Sequence, residues 1–115
     1  MTTTILGISF DTNDAVAIAT FWAGALGWTV NEGASETFAA VAAGDGSPVL
    51  MFHKVPEPKT VKNRLHFDLR TGDFTAESER LRGLGATQLT TLADKGGNWV
   101  TFADPDGNEF DLIPG

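Results

Sequence analysis

The side chains able to do chemistry are few. The chain has two histidines, His53 and His66, and no cysteine. Thiolate catalysis, disulfides and cysteine-ligated zinc are therefore excluded, which leaves imidazole and carboxylate groups as proton carriers or metal donors. His66 sits in "KNRLHFDLR" at 62–70, a stretch that reads as a buried strand. Alternation puts Leu65, Phe67 and Leu69 on one face and His66 and Asp68 on the other. In "EFDLIP" the same rule sends Phe110 and Leu112 inward and leaves Asp111 on the side of His66. Met51 and His53 share one face of "PVLMFHKV". These residues leave two roles open for His66. It is a metal ligand or general base, or it is a neutral imidazole hydrogen-bonded to Asp111, Asp68 or water.

Trp28 and Trp99 stand at strand starts, and either could stack on a flat ligand or serve as a core or interface aromatic. Trp22 lies on a helical stripe and belongs to the core. There is no phosphate-binding loop, no Ser/His/Asp order and no dinucleotide fingerprint.

The elements that carry these residues are written twice. "ILGISFDT" alternates as a strand with Leu6, Ile8 and Phe10 on one face. "DAVAIATFWAGALG" reads as a helix with Val16, Ile18, Phe21, Trp22 and Leu26 in one stripe, an aspartate at its start and Gly27 as its stop. Three short strands follow, in "WTVNEG", "TFAAVAAG" and "PVLMFHKV". The order then recurs. "RLHFDLRT" is a strand, "DFTAESERLRGLG" a helix with Phe74, Leu81 and Leu84 inward, and "ATQLTTL", "NWVTFA" and "EFDLIP" are strands. "PEPKTVKN" joins the halves as a linker, since its two prolines suit no strand interior. The fold class is α+β, with two βαβββ modules that bury apolar sheet faces under helices. Module one spans about 3–55, the linker 56–62 and module two about 63–114. When the halves are aligned, Gly7 falls on His66, Asp14 near Asp73 and Met51 on Asp111.

At 115 residues, with 42% hydrophobic and 20% charged residues, the chain suits one globular domain. Its net charge of −7 argues against nucleic acid and anionic membrane as partners. The start of the chain lacks a basic, then apolar, signal pattern, and no apolar run approaches a membrane span. A cytoplasmic location is expected. Lys54, Lys59, Lys62, Arg64 and Arg70 cluster around the linker as a solvated basic stretch or an anion-binding patch.

"FWAGALGW", "NRLHFDL" and "FADPDGNEFDL", set in two βαβββ modules, resemble the vicinal oxygen chelate superfamily of glyoxalases, bleomycin and fosfomycin resistance proteins and extradiol dioxygenases. "FHKVPEPKTVKNRLHFDL" with "WVTFADPDGNEF" looks more narrowly like the actinobacterial glyoxalase-like domain proteins. The resemblance implies a single glyoxalase-like domain over 1–115, folded as a cup-shaped, partly open barrel with its helices outside. It also implies a homodimer, with "FAAVAAG" and the sheet edges as contacts. Enzymes of the superfamily hold a divalent metal (Ni, Zn, Mn or Fe) with one ligand from each of four strands. Those positions carry over to Gly7, Met51, His66 and Asp111, so only two of the four are oxygen or nitrogen donors. The expectation is a small-molecule binder without a complete metal site and with no cofactor, lined by Trp28, Met51, His53, His66, Trp99 and Asp111. The alternative is a metal-dependent lyase, isomerase or dioxygenase that uses His66 and Asp111.

Overall fold

The computed structural model describes residues 2–115, which divide into two units, one running to Lys59 and the other from Thr60 to Gly115. The first unit comprises β1 (Gly7–Thr12), α1 (Ala15–Leu26), β2 (Thr29–Val30), β3 (Phe38–Ala42) and β4 (Val49–Lys54). The second comprises β5 (Asp68–Thr71), α2 (Phe74–Leu84), β6 (Thr87–Gln88), a 3₁₀ turn (Ala93–Lys95), β7 (Val100–Ala103) and β8 (Glu109–Pro114). Each unit is therefore a βαβββ module.

The sheet orders are β1-β4-β3-β2 and β5-β8-β7-β6. In each, the first strand runs parallel to the fourth, while the remaining pairs are antiparallel hairpin neighbours. A parallel pair needs a long crossover, which the helix and two strands supply.

Local signals set the helix ends. Asp14 accepts from the Ala17 amide at 3.3 Å and Asp73 from the Ala76 amide at 3.2 Å, each filling one of the first turn's unmet donors. Gly27 then closes α1 in the left-handed region at φ 71°, where a side chain would be penalised.

The first core gathers Ile18, Phe21 and Trp22 of α1 with Ala39, Val41, Leu50 and Phe52; the second gathers Leu81 with Val100, Phe102, Phe110 and Leu112. Phe102 and Phe110 face each other across β7 and β8, with their rings stacked 5.6 Å apart. Burial of Phe110 and Leu112 confirms the expected phase of β8 and leaves Asp111 on the other face.

Three expected inward residues are corrected. Leu6, Leu65 and Leu84 are 81%, 65% and 39% exposed. Leu6 and Leu65 precede the points where β1 and β5 join their sheets, and Leu84 is the last residue of its helix. Val16, Leu26, Phe74 and Leu69 are only half-buried. The strand expected over "ATQLTTL" shortens to Thr87–Gln88. Leu89 and Thr90 both donate their amides to the Thr101 carbonyl, at 2.8 and 3.3 Å, and this two-against-one bulge ends the ladder.

The "DPDGN" turn between β7 and β8 is built around Asp104, which is buried and accepts from the amides of Asp106 and Asn108 at 3.0 and 2.9 Å. Gly107 takes the positive φ of 88° that the turn requires. Asp104→Ala strands both amides and should cost about 1–3 kcal/mol. Asp104→Asn, which keeps an acceptor oxygen, should cost less. Urea denaturation checks this, and equal losses for the two variants would contradict it.

Candidate functional site

The second module brings three donors together. His66 Nδ1 lies 3.3 Å from Asp68 Oδ1 and 3.9 Å from Asp111 Oδ2. The three groups offer ligand atoms that all lie within 4.8 Å of one another. Backbone register explains the meeting. Asp68 and Asp111 are partners in the parallel β5/β8 pair, and the Asp111 amide donates to the Phe67 carbonyl at 2.9 Å. Thr101, opposite Asp111 across β7/β8, donates its hydroxyl to Asp111 Oδ1 at 2.6 Å. That bond holds one carboxylate oxygen and leaves Oδ2 toward the imidazole.

His66 itself departs from the expected buried strand. It falls in the irregular segment before β5, and its side chain is 43% exposed, against 58% for Asp68 and 18% for Asp111. The ladder starts only at Asp68, because the partner groups of Glu109 are taken by the side chain of Asn63 instead. Sequence alternation showed Asp68 as a hydrogen-bond partner for His66 but not as a third donor. Thr101 and Asn63 were missed. Both depend on strand register, and nothing local in the sequence marks it.

At the positions matching His66 and Asp111 the first module carries Gly7 and Met51, which offer no oxygen or nitrogen, and Ser9 stands where Asp68 does. Ser9 pairs with Met51 and Gly7 with Val49 in the parallel β1/β4 ladder. The Met51 methyl lies against Gly7. A Cβ placed on Gly7 would overlap Met51 Cε and come 2.9 Å from the Val49 carbonyl oxygen. His53 is exposed on β4 and packs its ring 5.2 Å from that of Phe38, its partner on β3. Trp28 is half-buried just after α1, and Trp22 is fully buried. In the second module, Trp99 is half-buried at the foot of β7, with Lys95 Nζ 5.9 Å from its ring centroid.

A four-strand metal centre of the kind the resemblance implies does not fit these residues. Gly7 has no donor, and the Met51 thioether is a soft ligand suited to copper(I) rather than to hard divalent ions. The second module taken alone is a better match. Two ligands each about 2.1 Å from one ion stand roughly 3–4.2 Å apart; the 3.3 and 3.9 Å separations from His66 fall in that range, while the 4.8 Å bound on the whole cluster is wider than it.

The paired modules define the fold of the glyoxalase, bleomycin resistance and dioxygenase superfamily. Similar structures include a possible glyoxalase from Bacillus cereus, with TM-score 0.71 and 19% identity, covering 96% of this chain and 98% of that one. The fosfomycin resistance protein FosX from Mesorhizobium loti superposes with TM-score 0.73 at 17% identity, over 100% of this chain and 94% of that one. A mutant FosX from Listeria monocytogenes, solved with Mn(II) and 1S,2S-dihydroxypropylphosphonic acid, gives TM-score 0.74 at 14% identity, covering 100% and 92%. At such identities the likeness is one of fold. No curated protein matches the sequence. Residues 7–113 match the glyoxalase-like domain family, and the chain belongs to it.

Gly7→Ala puts a methyl group where Met51 and the Val49 carbonyl already stand. It should cost about 1–3 kcal/mol, as overpacking does. Chemical denaturation measures the loss. Unchanged stability would show that the strand pair yields freely and that the glycine is not required for packing.

Proposed function

We propose that this member of the glyoxalase-like family binds a small organic molecule without a complete four-ligand metal centre, as bleomycin resistance proteins do. The observation that carries this reading is the Met51 methyl packed against Gly7, which leaves the first module without an oxygen or nitrogen donor at either matching position. His66 and Asp111 would supply hydrogen bonds and charge, and Met51, His53, Trp28 and Trp99 apolar and aromatic surface. A net charge of −7 favours a cationic ligand. The narrower likeness to actinobacterial glyoxalase-like proteins, a homodimeric state, a cytoplasmic location and the lack of nucleic-acid or membrane partners belong to the same reading. Among the described residues, no helix is long and apolar enough to cross a membrane.

The His66, Asp68 and Asp111 cluster favours a second reading, a metal-dependent lyase, isomerase or dioxygenase. In it these three side chains would hold a divalent ion, and the ion would polarise a substrate oxygen. The carboxylate oxygens left free of the ion would accept the substrate's proton, and His66 would orient the substrate.

Calorimetric titration of chelator-treated protein with Mn²⁺, Ni²⁺, Zn²⁺ and Fe²⁺ separates the two. The first reading expects no stoichiometric binding at micromolar metal. Binding that disappears in both His66→Ala and Asp68→Asn would replace it with the second. Cationic and flat aromatic compounds, screened by tryptophan fluorescence and thermal shift, should include ligands whose affinity falls in Asp111→Asn. The loss should be about 1.5–3 kcal/mol, the size of a hydrogen bond to a charged group.

A further inference from the structure

His66 is not held by the sheet. Residues 55–67 contain no helix or strand, and the first ladder contact on their far side is the Phe67 carbonyl with the Asp111 amide. Ahead of His66 the side chain of Asn63 ties the chain to β8. Asn63 Oδ1 accepts from the Glu109 amide at 2.8 Å, and Asn63 Nδ2 donates to the Glu109 carbonyl at 3.0 Å. The same Nδ2 donates to the Leu65 carbonyl at 2.6 Å. The carboxamide thus takes the place of a neighbouring strand's peptide group opposite Glu109. It is the side-chain type of this reach that presents a donor and an acceptor in one plane.

We infer that Asn63 is the positioning residue of the candidate site, holding His66 within reach of Asp68 and Asp111. The inference rests on the assignment of His66 and Asp111 as binding groups. Its geometric basis is a mismatch of lengths. Glu109 and Asp111 are two residues apart on β8, about 7 Å, whereas residues 63 to 67 would cover about 13 Å if extended. Tying both ends to β8 forces the segment between them to bow, and the Nδ2 bond to the Leu65 carbonyl fixes where it turns. His66 is the residue between that turn and the ladder. The Lys62–Glu109 ion pair, 3.0 Å long and exposed, ties the same place but contributes little to its geometry.

The test reads the position of the imidazole rather than stability. With only two histidines in the chain, His53→Gln assigns the ring nitrogen resonances of His66 in ¹⁵N NMR spectra. In that background, Asp111→Asn should shift the His66 nitrogen resonances, because the carboxylate lies beside the ring. Adding Asn63→Ala should reduce the shift to less than half. Asn63→Asp keeps the acceptor for the Glu109 amide but loses both donations, so it should stay folded and give an intermediate response. Asn31→Ala is the control, since Asn31 likewise bonds backbone groups, at Ala40 and Glu32 in the other unit. It should leave the response intact. A full Asp111-dependent shift in Asn63→Asp and Asn63→Ala would reduce Asn63 to a stabilising residue and overturn the inference. No shift in the parent background would overturn it as well. Metal and ligand titrations do not enter this readout, so its failure is distinguishable from failure of the binding assignment.

Discussion

The hydrogen bond from the Asp111 amide to the Phe67 carbonyl sets the register on which the candidate site depends. In a parallel ladder, partnered residues point to the same face. Once Asp68 stands beside Asp111, their carboxylates project together, while His66 lies ahead of the ladder and depends on the segment before it to come near both. A slip of one residue would exchange Asp111 for Phe110 or Leu112. Those two side chains are almost wholly buried, so the core resists the slip. Apolar burial on one face of β8 thereby positions the polar chemistry on the other.

The two modules run the same backbone plan with different chemistry at the matching places. In the second, Thr101 holds one oxygen of Asp111 and an imidazole stands near the other. In the first, the same strand positions carry a glycine and a methionine whose methyl group fills the space that a side chain on the glycine would need. The two modules are two uses of a single scaffold. For this reason membership of the glyoxalase-like family identifies the fold and leaves the reaction to the side chains.

Exposure bears on how the cluster would act. His66 and Asp68 remain substantially open to water, whereas Asp111 is mostly covered. Charges near water attract each other weakly, so the imidazole is held near its carboxylates by backbone geometry more than by their charge. Asn63 and the start of the β5/β8 ladder supply that geometry. A bound ligand that excluded water would strengthen the same contacts.

Whatever depends on a few neighbouring residues was legible in the sequence. The helix ends at Asp14, Gly27 and Asp73 and the phase of Phe110, Asp111 and Leu112 all follow from local capping and alternation. The repeat of those signals disclosed two βαβββ modules. What escaped depends on partners distant in the chain. The late start of β5, the exposure of His66 and Leu65, and the bulge that ends β6 are set by which backbone groups across the sheet are already occupied. Asn63 meets Glu109 across 46 residues and Thr101 meets Asp111 across ten, through registers no local pattern encodes. Local conformational preference sets the elements from sequence alone, whereas hydrogen-bond partnership across the sheet is decided only when the chain has packed.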